Sequence, residues 1–351
     1  MENLNKIIYV SGSEIPSSSA NAAHVLQMCE SLSKLIEVDV FVKSTKYDIE
    51  KFKRKNTNLN NLNFLLFKKS TFIRWLLFFS RNKYNFYYMR NIKSFLTLLL
   101  LKRNNIILEL HHLNFNVFEK LLLVVFFKFF KKFKITVISN QLKKDLILEF
   151  KINPNNIFLL RDAGPVISEY KKTNSLTTIG YIGSFNKGKG VELIINIAKS
   201  LKDYNFLLYG DSSNFDDKNL PSNVRLMGFV NVFNLKNAYD TFDIALAPYS
   251  KNITYHGSSK DISKWISPLK IFESWSFGKL ILVSDLDSIR EFCDETNVVF
   301  CEPEKISSWV KKITNLELNK VNIITKNAFN LSQNQYSWTI RAKLIMDLYE
   351  I

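Results

Sequence analysis

Short apolar, β-branched runs alternate with helix-length segments through most of the chain. In the first half the runs are KIIYVSG, VDVFVKS, NFLLF, FYYMR, NIILELH, ITVIS and NIFLL. The stretches between them predict helices over 20–35, 71–80, 92–102, 115–132 and 141–150. In the second half the runs are TTIGYIGSF, NFLLYGD, VRLMGFV, DIALAPY, LILVSD and VVFCEP, again with helical stretches between. Strand–helix repetition of this kind predicts parallel sheets covered on both faces. Two such sets predict an α/β protein of two doubly wound domains. The RDAGPV segment and the polar stretch 168–178 are expected to join them. In open sheets of this class, ligands bind beyond the carboxyl ends of the strands. Residues that directly follow a strand therefore carry the functional expectation.

Composition narrows the class. With 46% hydrophobic and 23% charged residues, the chain has enough apolar material for two packed cores and is not a disordered polyanion or polycation. Cys29, Cys293 and Cys301 are far apart and odd in number, which suits small core residues in a reducing compartment. The histidines (His24, His111, His112 and His256) form no HExxH or Cys/His spacing, so no protein-held metal is expected. The N-terminus enters a strand directly, without a signal-peptide core. The apolar stretches near Trp75–Phe79 and Leu121–Phe127 are broken by Lys or Arg well short of the ~18 residues of a spanning helix. The expected location is the cytoplasm.

The net charge of +16 is uneven. Residues 1–170 hold 26 Lys+Arg against 13 Asp+Glu, whereas the remainder holds 22 against 19, so the first half is the basic one. An anionic partner follows. The basic residues interleave with apolar runs in FEKLLLVVFFKFFKKFK, where Lys120, Lys128 and Lys131 recur at helical spacing. That pattern, with no nucleic-acid motif present, points to peripheral contact with an anionic membrane surface rather than to nucleic acid.

The strongest chemical signal is SPLKIFESWSFG, Ser267 to Gly278. Ser267 is a good N-cap, Pro268 suits the first helical position, and Gly278 suits the stop. Lys270 then falls in the first turn, where the helix dipole disfavours a cation unless an anion binds there. Glu273 lies one turn on and could accept hydroxyl hydrogen bonds. The competing reading is a surface Lys–Glu pair, but Lys before Glu is the poorer order and the neighbours Ile271, Phe272, Trp275 and Phe277 are apolar. In YIGSFNKGKG, a strand, a glycine-bearing loop and a helix start form a phosphate-cradle layout, weak as evidence by itself. Glu109-Leu110-His111-His112 closes a strand at a ligand-binding end, which raises the functional reading of its histidines; a resemblance to a known family, given below, makes His111 the first candidate and His112 the alternate. Asn21 could cap the helix that follows Ser11-Gly12, and His24 within that helix is taken as structural.

The run SPLKIFESWSFGKLILVSDLDSIRE resembles the donor-binding signature of glycosyltransferase family 4, a family of retaining GT-B enzymes. The resemblance implies a GT-B fold: two Rossmann-like domains facing a central cleft. Residues 1–167 would form the acceptor-side domain, 176–334 the nucleotide-sugar domain, and 335–351 a helix returning to the first. It implies that Glu273 holds the donor ribose, and that Ser267, Pro268, Leu269 and Lys270 surround its diphosphate. In YIGSFNKGKG the family carries an Arg after the first glycine. Here Gly183 is followed by Ser184, with Lys187 as a substitute cation, and Lys189-Gly190 matches the family's Lys-Gly pair. Lys189 and His111 would be the catalytic residues. Gly12 would underlie the donor phosphates, and Gly210 in GDSS would approach the nucleotide. Trp265 stands where many members have a first glutamate. The implied reaction is transfer from a nucleotide-diphosphate sugar (UDP- or GDP-sugar) to a glycan or lipid-linked glycan, in bacterial cell-surface polysaccharide synthesis (lipopolysaccharide, capsule or O-antigen). A silent nucleotide-sugar-binding subunit and a nucleotide-sugar epimerase are the alternatives.

Overall fold

The computed structural model describes residues 5–67, 71–130, 132–213, 215, 220–254 and 260–350. Lys131 and His256 lie outside them. The chain divides into two compact units, one of residues 1–17, 21–161 and 339–351, the other of residues 18–20 and 162–338.

The first unit runs β1 (Lys6–Glu14), α1 (Ala20–Leu32), β2 (Glu37–Lys43), α2 (Lys46–Lys55), β3 (Leu62–Phe67), α3 (Phe72–Arg81), β4 (Phe86–Met89), α4 (Ile92–Leu100), β5 (Ile106–Leu110), α5 (Val117–Phe129), β6 (Lys134–Val137), α6 (Asn140–Phe150) and β7 (Ile157–Leu159). Its seven strands pair in the order β3-β2-β1-β4-β5-β6-β7, all parallel. The second unit runs β8 (Thr178–Ile182), α7 (Val191–Ser200), β9 (Asn205–Tyr209), β10 (Val224–Gly228), α8 (Leu235–Tyr239), β11 (Ile244–Ala247), α9 (Leu269–Ser276), β12 (Leu280–Ser284), α10 (Asp287–Arg290), β13 (Val299–Cys301), α11 (Ile306–Thr314) and α12 (Leu318–Gln335). Its six parallel strands follow the order β10-β9-β8-β11-β12-β13. In both sheets the strand order reverses once, between β1 and β4 and between β8 and β11. Those are the places where a doubly wound sheet opens a crevice for ligand.

The apolar runs form strands because both faces of each sheet are covered. All five residues of β5 and all five of β12 are buried, as expected of parallel central strands. Charge inside such a strand is costly without partners, so Glu109 within β5 marks a special site. The last helix, α13 (Trp338–Leu348), carries its buried Arg341, Ala342 and Ile345 on one helical face. Just beyond it, the Tyr349 hydroxyl donates to the Tyr87 carbonyl at 2.9 Å. Residues 162–177 run without helix along α12: Gly164 pairs with Ser337, and the Tyr170 hydroxyl meets Thr325 Oγ1 at 2.7 Å.

Two local expectations differ from the structure. Helix α2 was not among the predicted helices. Only Ile49 of it is buried, so its apolar periodicity is too thin to see, although the Thr45 cap on the Asp48 amide is a legible start signal. Asn21 does not cap α1; it lies inside the helix and donates to Ser13 Oγ at 2.6 Å. Helix α5 buries only Leu123 and Phe127, while Val117, Phe118, Leu121, Val124, Val125 and Phe129 are exposed. Among the described residues, no helix is long and apolar enough to cross a membrane.

Candidate active site

Helix α9 places the first group. Its N-cap is Pro268, not Ser267, and no side chain caps it. The Ser267 hydroxyl instead accepts the Asp162 amide at 3.1 Å, because the chain before Leu269 is drawn into the core by Ser267 itself (6% exposed). The uncapped first turn leaves its amides and the positive end of the dipole to a ligand. Gly278, past the end, turns left-handed at φ +66° and donates to Trp275 O at 3.0 Å. Lys270 in the first turn is 8% exposed, and Glu273 one turn later is 6% exposed. This excludes a surface Lys–Glu pair.

The Lys270 ammonium lies under the loop that follows β8. A Cβ at Gly183 would come within 3.0 Å of Lys270 Nζ, so glycine there admits the close approach. Lys270 Nζ is buried with no hydrogen-bond partner among the described residues. It sits 3.8 Å from the ring centre of Tyr181 and 5.0 Å from that of Tyr249. Lys189 Nζ lies 5.1 Å from the same Tyr249 ring. Cation–π contact gives back only about 0.5–2 kcal/mol of the solvation lost. Burial first, then the charge of Lys189, hold the Lys270 ammonium well below the ordinary lysine value, against a smaller opposing pull from Glu273. Burial pulls Lys189 down to about 8. Glu273 Oε2 is 3.5 Å from the Tyr239 hydroxyl.

Lys189 is held by Gly190, which caps α7 at φ +82° and whose Cβ would strike Pro248 O at 1.9 Å; only glycine fits. The Ser184 carbonyl accepts the Tyr181 hydroxyl at 2.7 Å, so Ser184 holds the ring beneath Lys270. Gly210 follows β9 and donates to Gly228 O at 3.0 Å. Lys187 is exposed and makes no hydrogen bond or ion pair among the described residues. The structure thus brings Lys189, Lys270, Glu273 and Gly183 together at the β8/β11 switch point and leaves Lys187 aside. Trp265 is 5% exposed, a core residue.

The second group stands at the β1/β4 switch point of the first unit. Glu109 Oε1 meets His111 Nε2 in a short contact and His24 Nε2 at 3.1 Å, with Arg90 Nε at 3.6 Å. Glu109 Oε2 takes the Tyr88 hydroxyl and lies 3.3 Å from Arg341. Burial alone would raise this carboxyl; Arg341, His24, Arg90 and the His111 hydrogen bond outweigh it and hold the group well below the carboxylate range. His111 is one-quarter exposed at its side chain, so of the His pair it is the one built into this group. His112 Nδ1 accepts the Asn114 amide at 3.2 Å instead. His24, Glu109 and His111 are close enough for one ion. However, Arg90 and Arg341 already place two positive charges on the single carboxylate, and a metal cation would add to that excess. Gly12 is exposed and a Cβ there would meet nothing within 4 Å, so the structure gives no steric reason for glycine.

Arg90, Arg341, Tyr88, Tyr181 and Tyr249 are site residues that sequence reasoning did not single out. Arg90 follows the run FYYM directly, so the strand-end rule that marks the histidines after β5 would have found it. Arg341 carries no such signal.

Residues 177–319 match the family model described as Glycosyl transferases group 1. No curated protein matches the chain. Solved structures share its architecture at low identity. HepE of Anabaena, in complex with UDP-glucose, is 13% identical with a TM-score of 0.71, covering 98% of this chain and 99% of its own. A mutant of S. aureus TarM, in complex with Fondaparinux, alpha-GlcNAc-glycerol and UDP, is 12% identical with a TM-score of 0.72, covering 99% and 100%. WaaG, a glycosyltransferase involved in lipopolysaccharide biosynthesis, is 11% identical with a TM-score of 0.62, covering 97% and 98%. Residues 177–319 are thus similar to the group 1 glycosyl transferases, and the chain has the two-sheet fold of these solved structures.

Proposed function

We propose that the chain is a retaining glycosyltransferase of family 4 that moves a sugar from a UDP- or GDP-sugar to a hydroxyl of a glycan or lipid-linked glycan. The observation that carries this reading is the buried Lys270 ammonium, without a hydrogen-bond partner among the described residues and beside Lys189 at a switch point. A desolvated pair of cations is expensive unless an anion completes it, and a diphosphate supplies two negative centres.

In this reading the second unit binds the donor. Lys270 and Lys189 take the diphosphate, with the first-turn amides of α9 after Ser267, Pro268 and Leu269, and the loop at Gly183 and Ser184. Glu273 accepts the ribose hydroxyls, and Gly210 borders the nucleotide. Lys187, exposed on the same loop, would act only on the approaching anion. As the glycosidic bond breaks, charge accumulates on the leaving diphosphate, and the two ammonium groups stabilise that charge most in the transition state. The cations carry this role without a metal. His111 addresses the transferred sugar and the acceptor, with Gly12 at the neighbouring strand end. Bacterial envelope polysaccharide synthesis is the proposed setting, as WaaG serves lipopolysaccharide. The exposed apolar face of α5, flanked by Lys128 and Lys132, would rest on the anionic inner face of the cytoplasmic membrane, where lipid-linked acceptors reside.

The test is direct. The purified chain is incubated with UDP- and GDP-sugars, with and without lipid-linked glycan, and products are resolved by anomeric configuration. Transfer with retained configuration is expected. Epimerised donor without acceptor, as a Listeria structural neighbour named a 2-epimerase would suggest, or tight donor binding with no turnover, would replace the reading by an epimerase or a binding subunit.

A further inference from the structure

His111 Nε2 has two neighbours that make opposite demands. Glu109 Oε1, an acceptor while ionised, is in short contact with it, and Arg90 NH2, which can only donate, is 3.0 Å away. The carboxylate bonds Nε2 only if that nitrogen carries a proton; the guanidinium bonds it only if it does not. The neutral ring cannot satisfy both. Which one prevails decides whether the other nitrogen, Nδ1, presents a lone pair or an N–H, and so whether His111 can accept a proton from an acceptor hydroxyl.

Glu109 is placed to prevail. Its side chain is fully buried at the end of β5, and its own position is fixed on both oxygens. Oε1 faces His24 Nε2 as well as His111, and Oε2 takes Tyr88 and Arg341. Arg341 is itself clamped by backbone: Nε donates to Arg161 O at 2.9 Å and NH2 to Leu160 O at 3.5 Å, with NH1 3.0 Å from Met28 Sδ. These carbonyls belong to the chain just beyond β7, so Arg341 ties α13 to the strand-end network of the same unit.

We propose that Glu109 is a positioning residue that holds His111 as the Nε2–H tautomer with Nδ1 as the acceptor nitrogen, and that Arg341 is the residue that holds Glu109 to this task. The role of His111 in transfer rests on the function proposed above; the tautomer does not.

The experiment is long-range ¹H–¹⁵N correlation NMR on the full chain labelled with ¹⁵N-histidine, with His111→Asn used for assignment. His111 is expected to carry a single proton, on Nε2; a ring protonated on both nitrogens would overturn the assignment of Nδ1 as the acceptor. In Glu109→Gln the glutamine amide competes poorly with Arg90, and the Nδ1–H form should become the major one. Arg341→Met should shift the population the same way, and Arg341→Lys should restore it. In the transfer assay Arg341→Met should lower kcat by about tenfold or more, the usual effect of losing a partner behind a functional histidine, with donor KM unchanged and Arg341→Lys recovering most of it. A bare Nε2 in the parent protein, or an unchanged tautomer in folded Glu109→Gln, overturns the proposal. If Glu109→Gln does not fold, Arg341→Met decides by the same spectrum. An Nε2–H tautomer in a chain that transfers no sugar sinks the proposed function and leaves this assignment standing.

Discussion

At the switch point of the first unit, one buried carboxylate is surrounded by Arg90, Arg341, His24 and His111, and every charge has a counter-charge in reach. At the switch point of the second, Lys270 and Lys189 share the Tyr249 ring, and Glu273 offsets Lys270 only in part. The same strand order has produced in one unit a network satisfied except at the contested His111 Nε2, and in the other a frustrated pair of cations. A satisfied network fixes side chains in one geometry; a frustrated one stores an electrostatic cost that only a ligand relieves. The first therefore suits orientation of a catalytic side chain, and the second suits binding of an anion.

The largest expected effect breaks the satisfied side. Glu109→Ala leaves two buried guanidinium groups without their carboxylate and should cost about 3–5 kcal/mol of stability, the range for stranding a buried charge. Urea or thermal unfolding measures it. A loss below about 1 kcal/mol would mean that the arginines find other partners and that the contrast between the units is false.

On the frustrated side the sign reverses. Lys270→Met removes a buried cation with no hydrogen bond among the described residues, so the ligand-free protein should melt about 2–4 °C higher. UDP or GDP affinity should fall about a hundredfold, some 2.7 kcal/mol, by isothermal titration. A variant that is both less stable and equally able to bind the nucleotide would show Lys270 to be structural.

Lys189 sharpens the same point through pH. Its ammonium titrates near 8 in the folded chain and near the ordinary 10.5 unfolded. Between these values the unfolded chain binds more protons, so the Lys189 contribution to ligand-free stability is present above 10.5 and lost as pH falls through about 8. A diphosphate requires the charged form, so its affinity should run the other way and weaken as pH rises through about 8. Lys189→Ala should flatten that limb and slow transfer about tenfold more than it weakens donor binding. Turnover unchanged at saturating donor removes Lys189 from the mechanism.

Smaller effects follow at the margins of each unit. Glu273→Ala should weaken nucleotide-sugar binding about tenfold, the scale of one charge-assisted hydrogen bond, while the fold persists. Equal donor affinity in mutant and parent would end the ribose assignment. For α5, co-sedimentation with anionic liposomes should require acidic lipid, weaken with salt, and decline when Lys128, Lys131 and Lys132 become Glu, each charge being worth roughly 1 kcal/mol at the surface. No binding at low salt would make the apolar face of α5 a site for something other than a membrane.

Much of this was legible before any fold was known. Each apolar run listed at the outset is a strand, because a parallel strand covered on both faces must be apolar over four or five consecutive residues. Lys270 and Glu273 were singled out because a helix start is a local signal, whereas Lys189 and His111 were singled out by resemblance to a family pattern. The N-cap of α9 was misplaced by one residue, since Ser267 could serve either the helix or the core and only packing chose the core. Helix α2 escaped because a nearly all-polar helix has caps but no apolar period.

What the sequence alone determined is therefore the alternation of elements and the residues at their ends, for the physical reason that hydrophobic periodicity, capping and glycine turns act over a few neighbouring positions. What only the tertiary structure decided is charge balance and exposure. That Arg341 meets Glu109, that Tyr181 and Tyr249 enclose Lys270, and that α5 turns most of its apolar surface outward depend on chain segments far apart in sequence. Desolvation and counter-charge are properties of the surroundings, and no stretch of sequence carries its surroundings with it.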